Sequence, residues 1–191
     1  MRLVEGHGIN DVDDRTYMIV DGRRVADPYY LVWKTMLRRV YSPLYHAARP
    51  TYIEASVCDE WLRFSAFKSW MMEQDWKDKQ LDKDILVPGN KIYAPDRCLF
   101  VTTAINNLLL DRRAARGRYP QGVSWKKKNK KYQAMFSING SNKHVGLYDT
   151  VEEARQAYND AKSDYIRRIA DEHTEPLRSA LQRHADRIQH D

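Results

Sequence analysis

Residues 132–158 read YQAMFSINGSNKHVGLYDTVEEARQAY, and this stretch decides the carboxyl-terminal fold. Tyr132, Ala134, Phe136 and Ile138 alternate with Gln133, Met135, Ser137 and Asn139, the two-residue period of a strand that buries one face. Asn139-Gly140 is a hairpin-turn pair, since both residues tolerate the positive φ of a tight turn, and residues 144–148 are the returning strand. Thr150 followed by Glu153 forms a capping box, each side chain satisfying a backbone N–H that the first helical turn leaves open. Ala154, Ala157, Ala161, Tyr165 and Ile169 then lay one apolar stripe along the helix that follows. The inner sheet face and this stripe are expected to bury each other. With a preceding strand through Ser124 and Lys126, the unit becomes a small three-stranded antiparallel sheet packed on one helix.

The residues facing away from that helix carry the functional expectation. If Phe136 points inward, Gln133, Met135 and Ser137 point outward, joined by Ser124 and Lys126 on the preceding strand and His144 on the last. Lys127, Lys128, Lys130, Lys131 and Lys143 fill the turns at the sheet's edges, and Trp125 alternates into the core. Rim lysines suit phosphates and central polar groups suit base edges, so these residues are the expected contact with double-stranded DNA. The charge distribution agrees. Residues 112–148 hold ten Lys/Arg and no acid, whereas the rest of the chain holds 22 basic and 26 acidic residues, so one window carries the whole net charge of +6. Charge this concentrated points to a polyanion. RNA is the weaker fit, because the outward pattern offers little aromatic surface for stacking unpaired bases.

Working back toward the amino terminus, residues 112–121 (RRAARGRYPQ) read as a basic linker. Residues 16–25 (TYMIVDGRRV) form a hairpin around Asp21-Gly22, and Asp27 with Pro28 starts a helix bearing Tyr30, Trp33, Leu37, Val40 and Tyr41 on one face. Pro43 and Pro50 bracket a loop. Residues 59–76 are expected to be helical, with Trp61, Phe64, Phe67 and Trp70 as core. Residues 81–87 and 91–93 flank a Pro88-Gly89-Asn90 turn as a second hairpin, and Thr103 opens a short helix. Residues 176–188 give one more helix at the carboxyl end. Cys58 and Cys98 lie forty residues apart, which is no zinc-ligand spacing, so they are expected to be packed thiols of a cytoplasmic protein. No apolar run approaches the roughly 20 residues a membrane span needs, and no nucleotide-binding glycine loop is present.

Two resemblances sharpen these readings. Gly122-Val123, Tyr132-Gln-Ala and the segment from Val145 to Tyr158 (VGLYDTVEEARQAY) resemble the plant ethylene-response-factor (AP-two) domain over roughly residues 122–161. That family inserts a three-stranded sheet into the DNA major groove and braces it with one helix. This chain departs from it on the reading face, where Ser124, Lys126, Met135, Ser137 and His144 stand in place of arginine and tryptophan. Base preference is therefore left open, and the family's activator role is not carried over. Residues 33–110 resemble the phage and mobile-element HNH (His-Me finger) endonucleases. The resemblance lies in residues 33–41 (WKTMLRRVY), Pro50-Thr-Tyr52, residues 57–64 (VCDEWLRF) with Phe67, residues 81–84 (LDKD), Gly89-Asn90 and residues 93–102 (YAPDRCLFVT).

The second resemblance implies a metal-dependent nuclease with Asp82, Lys83, Asp84 and Asn90 at the scissile phosphate, and Asp82 and Asp84 as ligands of Mg²⁺ or another divalent cation. Lys83 stands where the general base aligns, and an ordinary ammonium holds its proton at neutral pH. None of the six histidines falls in this hairpin, and His46 lies in a loop upstream. The expectation is thus an α+β protein: a degenerate ββα His-Me-finger-like domain over 1–111, the linker, an AP-two-like domain over 122–171 and a terminal helix over 172–191. It acts as a homing-type endonuclease in a phage-infected bacterial cell, or as a non-catalytic regulatory or adaptor protein on the same scaffold. Its partners are DNA and either a host protein, recruited by the acidic amino-terminal part, or further copies of itself.

Overall fold

Asp21 and Gly22 take φ of +50° and +74° and close the expected hairpin between β1 (Tyr17–Val20) and β2 (Arg23–Ala26). This geometry comes from a computed structural model that describes residues 3–13, 16–110 and 117–190. The chain divides into two compact units, residues 1–101 and 102–191, and each combines helices with small sheets. The α+β class thus holds, with six α-helices among the described residues.

In the first unit Asp27 caps α1 (Pro28–Tyr41), its Oδ1 accepting from the N–H groups of Tyr29 at 2.8 Å and Tyr30 at 3.4 Å. Trp33, Met36, Leu37 and Val40 of α1 meet Phe64, Phe67 and Met71 of α3 (Phe64–Met72) around Trp61. The indole N–H of Trp33 donates to the Trp61 carbonyl at 2.7 Å, so this fully buried side chain keeps a polar partner. Each such aromatic contributes about 2–3 kcal/mol through burial. Cys98 packs into this core and Cys58 lies against it, both as free thiols. Burial pushes the Cys98 thiol up to about 12, so it stays protonated and inert.

Three local expectations are corrected here. Pro43 and Pro50 do not bracket a loop, because each occupies the first turn of a helix: α2 (Pro43–Ala48) and the 3-10 turn Pro50–Tyr52. The helix expected over 59–76 is split, since Arg63 is extended (φ −94°, ψ 129°) between the 3-10 turn Asp59–Leu62 and α3. The hairpin over 81–93 does not form. Instead β4 (Gln80–Asp82) pairs antiparallel with β6 (Leu99–Val101), and β5 (Ile92–Tyr93) pairs parallel with β3 (Ser56–Val57). The cause is Asp82, whose Oδ1 accepts from the N–H groups of Asp84 at 2.8 Å and Ile85 at 2.9 Å and folds the chain out of the strand.

The second unit opens with α4 (Thr103–Leu109), which the sequence grouped with the amino-terminal domain. Of the expected linker, residues 112–116 lie outside the described residues. Beyond it β7 (Val123–Lys126), β8 (Lys131–Ile138) and β9 (Ser141–Tyr148) form an antiparallel sheet in that order. Both bonds of the capping box at α5 (Val151–Ala170) are present, Glu153 N–H to Thr150 Oγ1 and Thr150 N–H to Glu153 Oε2, each 3.2 Å. Gly122 makes the tight join below the sheet. Its φ is +77°, and a Cβ there would sit 2.1 Å from the Tyr158 ring.

The stripe on α5 is wider than expected. Ala157, Ala161, Tyr165 and Ile169 are only half-buried, while Tyr158, Asn159, Lys162, Ser163, Ile166 and Ala170 are buried. The reason is α6 (Leu177–His190), which covers a second face of α5 with Ala180, Leu181 and Ala185. Polar Ser163 belongs in that contact because its hydroxyl donates to the Ala185 carbonyl at 2.9 Å. No helix among the described residues is long and apolar enough to cross a membrane.

Candidate nucleic-acid interface

Cross-strand register fixes which side chains share a face, because directly paired residues project to the same side. On β8, Ala134 and Phe136 are buried against α5, so Gln133, Met135 and Ser137 face outward. Ser124 pairs with Gln133 and Lys126 with Lys131, placing both β7 residues on the outer side as the sequence indicated. On β9, His144 pairs with Met135. A bulge then intervenes between the Ala134 and Met135 pairings, so Val145 is the extra residue and Gly146 faces Ala134. Two outward residues escaped the sequence reading. Asn142 pairs with Ser137, and the bulge turns Leu147 outward opposite Gln133.

At the centre of this face Gln133 Nε2 lies 2.8 Å from His144 Nδ1. Lys126, Lys127, Lys128 and Lys130 are exposed around the β7–β8 turn, where Lys130 takes φ of +51°. Lys126 and Lys131 are directly opposed, a like-charge pairing that costs stability and that an anion would relieve. Lys131 is the member already partnered, its ammonium 3.1 Å from Asp149 Oδ1. An exposed pair of this kind contributes roughly 0–1 kcal/mol.

Two placements differ from expectation. Lys143 pairs with Phe136, and its ammonium stands 5.9 Å from that ring centroid, so it lies on the helix side of the sheet instead of at a turn. Trp125 pairs with Tyr132 on the inner side, their rings 4.8 Å apart, yet remains 39% exposed. It sits on β7, an edge strand, where only Tyr132 covers it among the described ring contacts.

In the first unit, Asp82, Lys83, Asp84 and Asn90 do come together, but as a closed set. The Lys83 ammonium donates to Asp84 Oδ1 at 2.8 Å and to the Asn90 carbonyl at 2.9 Å. Asn90 Nδ2 donates to the carbonyls of Lys83 and Ile92, each at 2.7 Å, and Oδ1 accepts from Ile92 N–H at 3.1 Å. Burial pushes the Asp82 carboxyl up, against the two N–H groups that hold its charge. His46 lies on α2, with Nε2 3.1 Å from the Arg39 carbonyl, while the Arg39 guanidinium reaches the Leu81 carbonyl at 3.5 Å. Arg39 thus spans the distance between the histidine's helix and β4.

These residues do not fit a divalent cation. The Asn90 amide is spent on backbone, Lys83 presents a positive charge, and Asp82 and Asp84 each have one oxygen already engaged. Among the described residues, no three His, Cys, Asp or Glu side chains converge as a metal site. Comparison with family models, with curated proteins and with solved structures finds no match to this chain.

Proposed function

We propose that the chain is a sequence-preferring double-stranded DNA-binding protein whose outer β7–β9 face enters the major groove. The observation that carries this reading is a polar sheet face bordered at one end by Lys126, Lys127, Lys128 and Lys130, in a window without a single acid. Size is compatible. Three strands spaced about 4.8 Å apart span about 10 Å, and the groove is about 12 Å wide. The lysines supply phosphate contacts at the rim, and the shorter side chains between them are free to approach base edges. Duplex binding by the full chain across a salt series tests this. A log–log slope of several units is expected, and binding insensitive to salt would contradict it.

A second reading, a homing-type endonuclease in the cytoplasm of a phage-infected bacterial cell, is favoured by one feature. The β4–β6 ladder runs straight into the sequence of α4, the strand–strand–helix order of a ββα nuclease element. The bonds that occupy Lys83 and Asn90 weigh toward the non-catalytic alternative. Nicking of supercoiled plasmid with Mg²⁺ or Mn²⁺, abolished by chelator and by Asp82→Ala/Asp84→Ala, would establish cleavage. DNA binding without nicking under either metal would leave the binding protein.

A further inference from the structure

We infer that the outer β7–β9 face prefers A·T over G·C pairs at the centre of its site, reading them through Asn142 and through Met135 and Leu147 on either side of the Gln133–His144 pair. This rests on the DNA-binding reading above. No arginine faces outward on the sheet, and its lysines are confined to the end formed by the β7–β8 turn. Arg and Lys are the side chains that pair bidentately with guanine O6 and N7, so that pairing is available only at that end. The centre offers His144, Met135 and Leu147, with Ser124, Ser137 and Asn142 around them.

Each of these has a counterpart on an A·T pair. His144 is exposed, its Nδ1 2.8 Å from Gln133 Nε2, and its free ring edge reaches the purine edge of either base pair. Asn142 is exposed and has both a donor and an acceptor for adenine N6 and N7. Met135 and Leu147 are half-buried apolar groups on either side of the pair, suited to the thymine methyl. A G·C pair offers no methyl to Met135 and Leu147 and no N6 donor beside N7 for Asn142. Gln133 does not read the base itself. Its Oε1 is buried without a hydrogen-bond partner among the described residues, so the amide cannot present both atoms to a base edge. Gln133 is a positioning residue that holds His144 in one orientation.

The test is enrichment of a randomised duplex pool on the full chain, followed by base analogues in the enriched site. An A·T-rich centre is expected. Replacing the contacted adenine with 7-deaza-adenine removes one acceptor and should weaken binding about tenfold. Uracil in place of thymine removes one methyl and should weaken it about fourfold. These arms leave the protein intact, so folding does not enter. Asn142→Ala and Met135→Ala should each lower the A·T-to-G·C affinity ratio, whereas His144→Ala should weaken both sites alike, with the salt slope unchanged. A G·C-centred enriched site overturns the inference. So does salt-dependent binding that ignores base composition and both analogues, although the DNA-binding reading survives that result. Failure to retain any duplex at any salt overturns both.

Discussion

Lysine behaves in opposite ways in the two units. Lys83 in the first is 9% exposed, and its ammonium is consumed by Asp84 and the Asn90 carbonyl. The lysines of the β7–β8 turn in the second project into solvent, and Lys126 faces another ammonium across the strand pair. Residue type alone does not distinguish a structural staple from a binding surface; the partners do. A cation whose bonds are satisfied internally holds a loop closed. A group of cations that projects into solvent is stabilised by an external polyanion.

Four variants or conditions sharpen this contrast, beginning with the largest effect. Gly122→Ala forces a Cβ into the Tyr158 ring at a positive φ. It should cost about 3 kcal/mol or more through combined strain and overpacking and abolish duplex binding, which denaturation and anisotropy would both read. Lys126→Gln/Lys128→Gln/Lys131→Gln should instead leave thermal stability intact and flatten the salt dependence. The slope should fall by about 2, at roughly 0.9 per lost contact, because Lys131 is already shared with Asp149. An unchanged slope would remove the sheet as the DNA face.

Lys83→Met is the converse. It strands the Asn90 carbonyl and should destabilise the first unit by about 1–3 kcal/mol while duplex affinity stays as it was. A loss of affinity without a loss of stability would break the contrast and give Lys83 a direct role on DNA. The remaining effect is one of pH, at the α5–α6 contact. Burial, with Arg187 and Lys162 beside it, pushes His184 down to about 4 from 6.5, and its Nδ1 lies 2.9 Å from the Arg187 guanidinium. The unfolded chain therefore takes this proton first. The stability of the second unit is fully present above about pH 6.5 and declines as pH falls toward 4, which denaturant midpoints across that range would report. A midpoint flat over the interval would contradict the half-buried neutral imidazole.

What was legible in the sequence depended on how local the determinant is. The alternation over residues 132–138, the Asn139-Gly140 turn and the Thr150/Glu153 box are each encoded within a few residues, and each is present. The outward side of β9 was only half legible. Counting from the turn places His144 correctly, but strict alternation onward puts Leu147 inside, and only the bulge at Val145 turns it out. The two-residue β3–β5 and three-residue β4–β6 ladders join segments far apart in sequence, too short to leave a period. Likewise Asn159, Lys162 and Ser163 do not look like buried positions until α6 is docked against them.

The most direct test labels lysine amines on the full chain with and without a saturating duplex and reads each site by mass spectrometry. The account predicts that Lys126, Lys127, Lys128 and Lys130 react freely alone and are protected by DNA, while Lys83 is unreactive in both states. Turn lysines that label equally with DNA bound, or protection confined to the first unit, would contradict it.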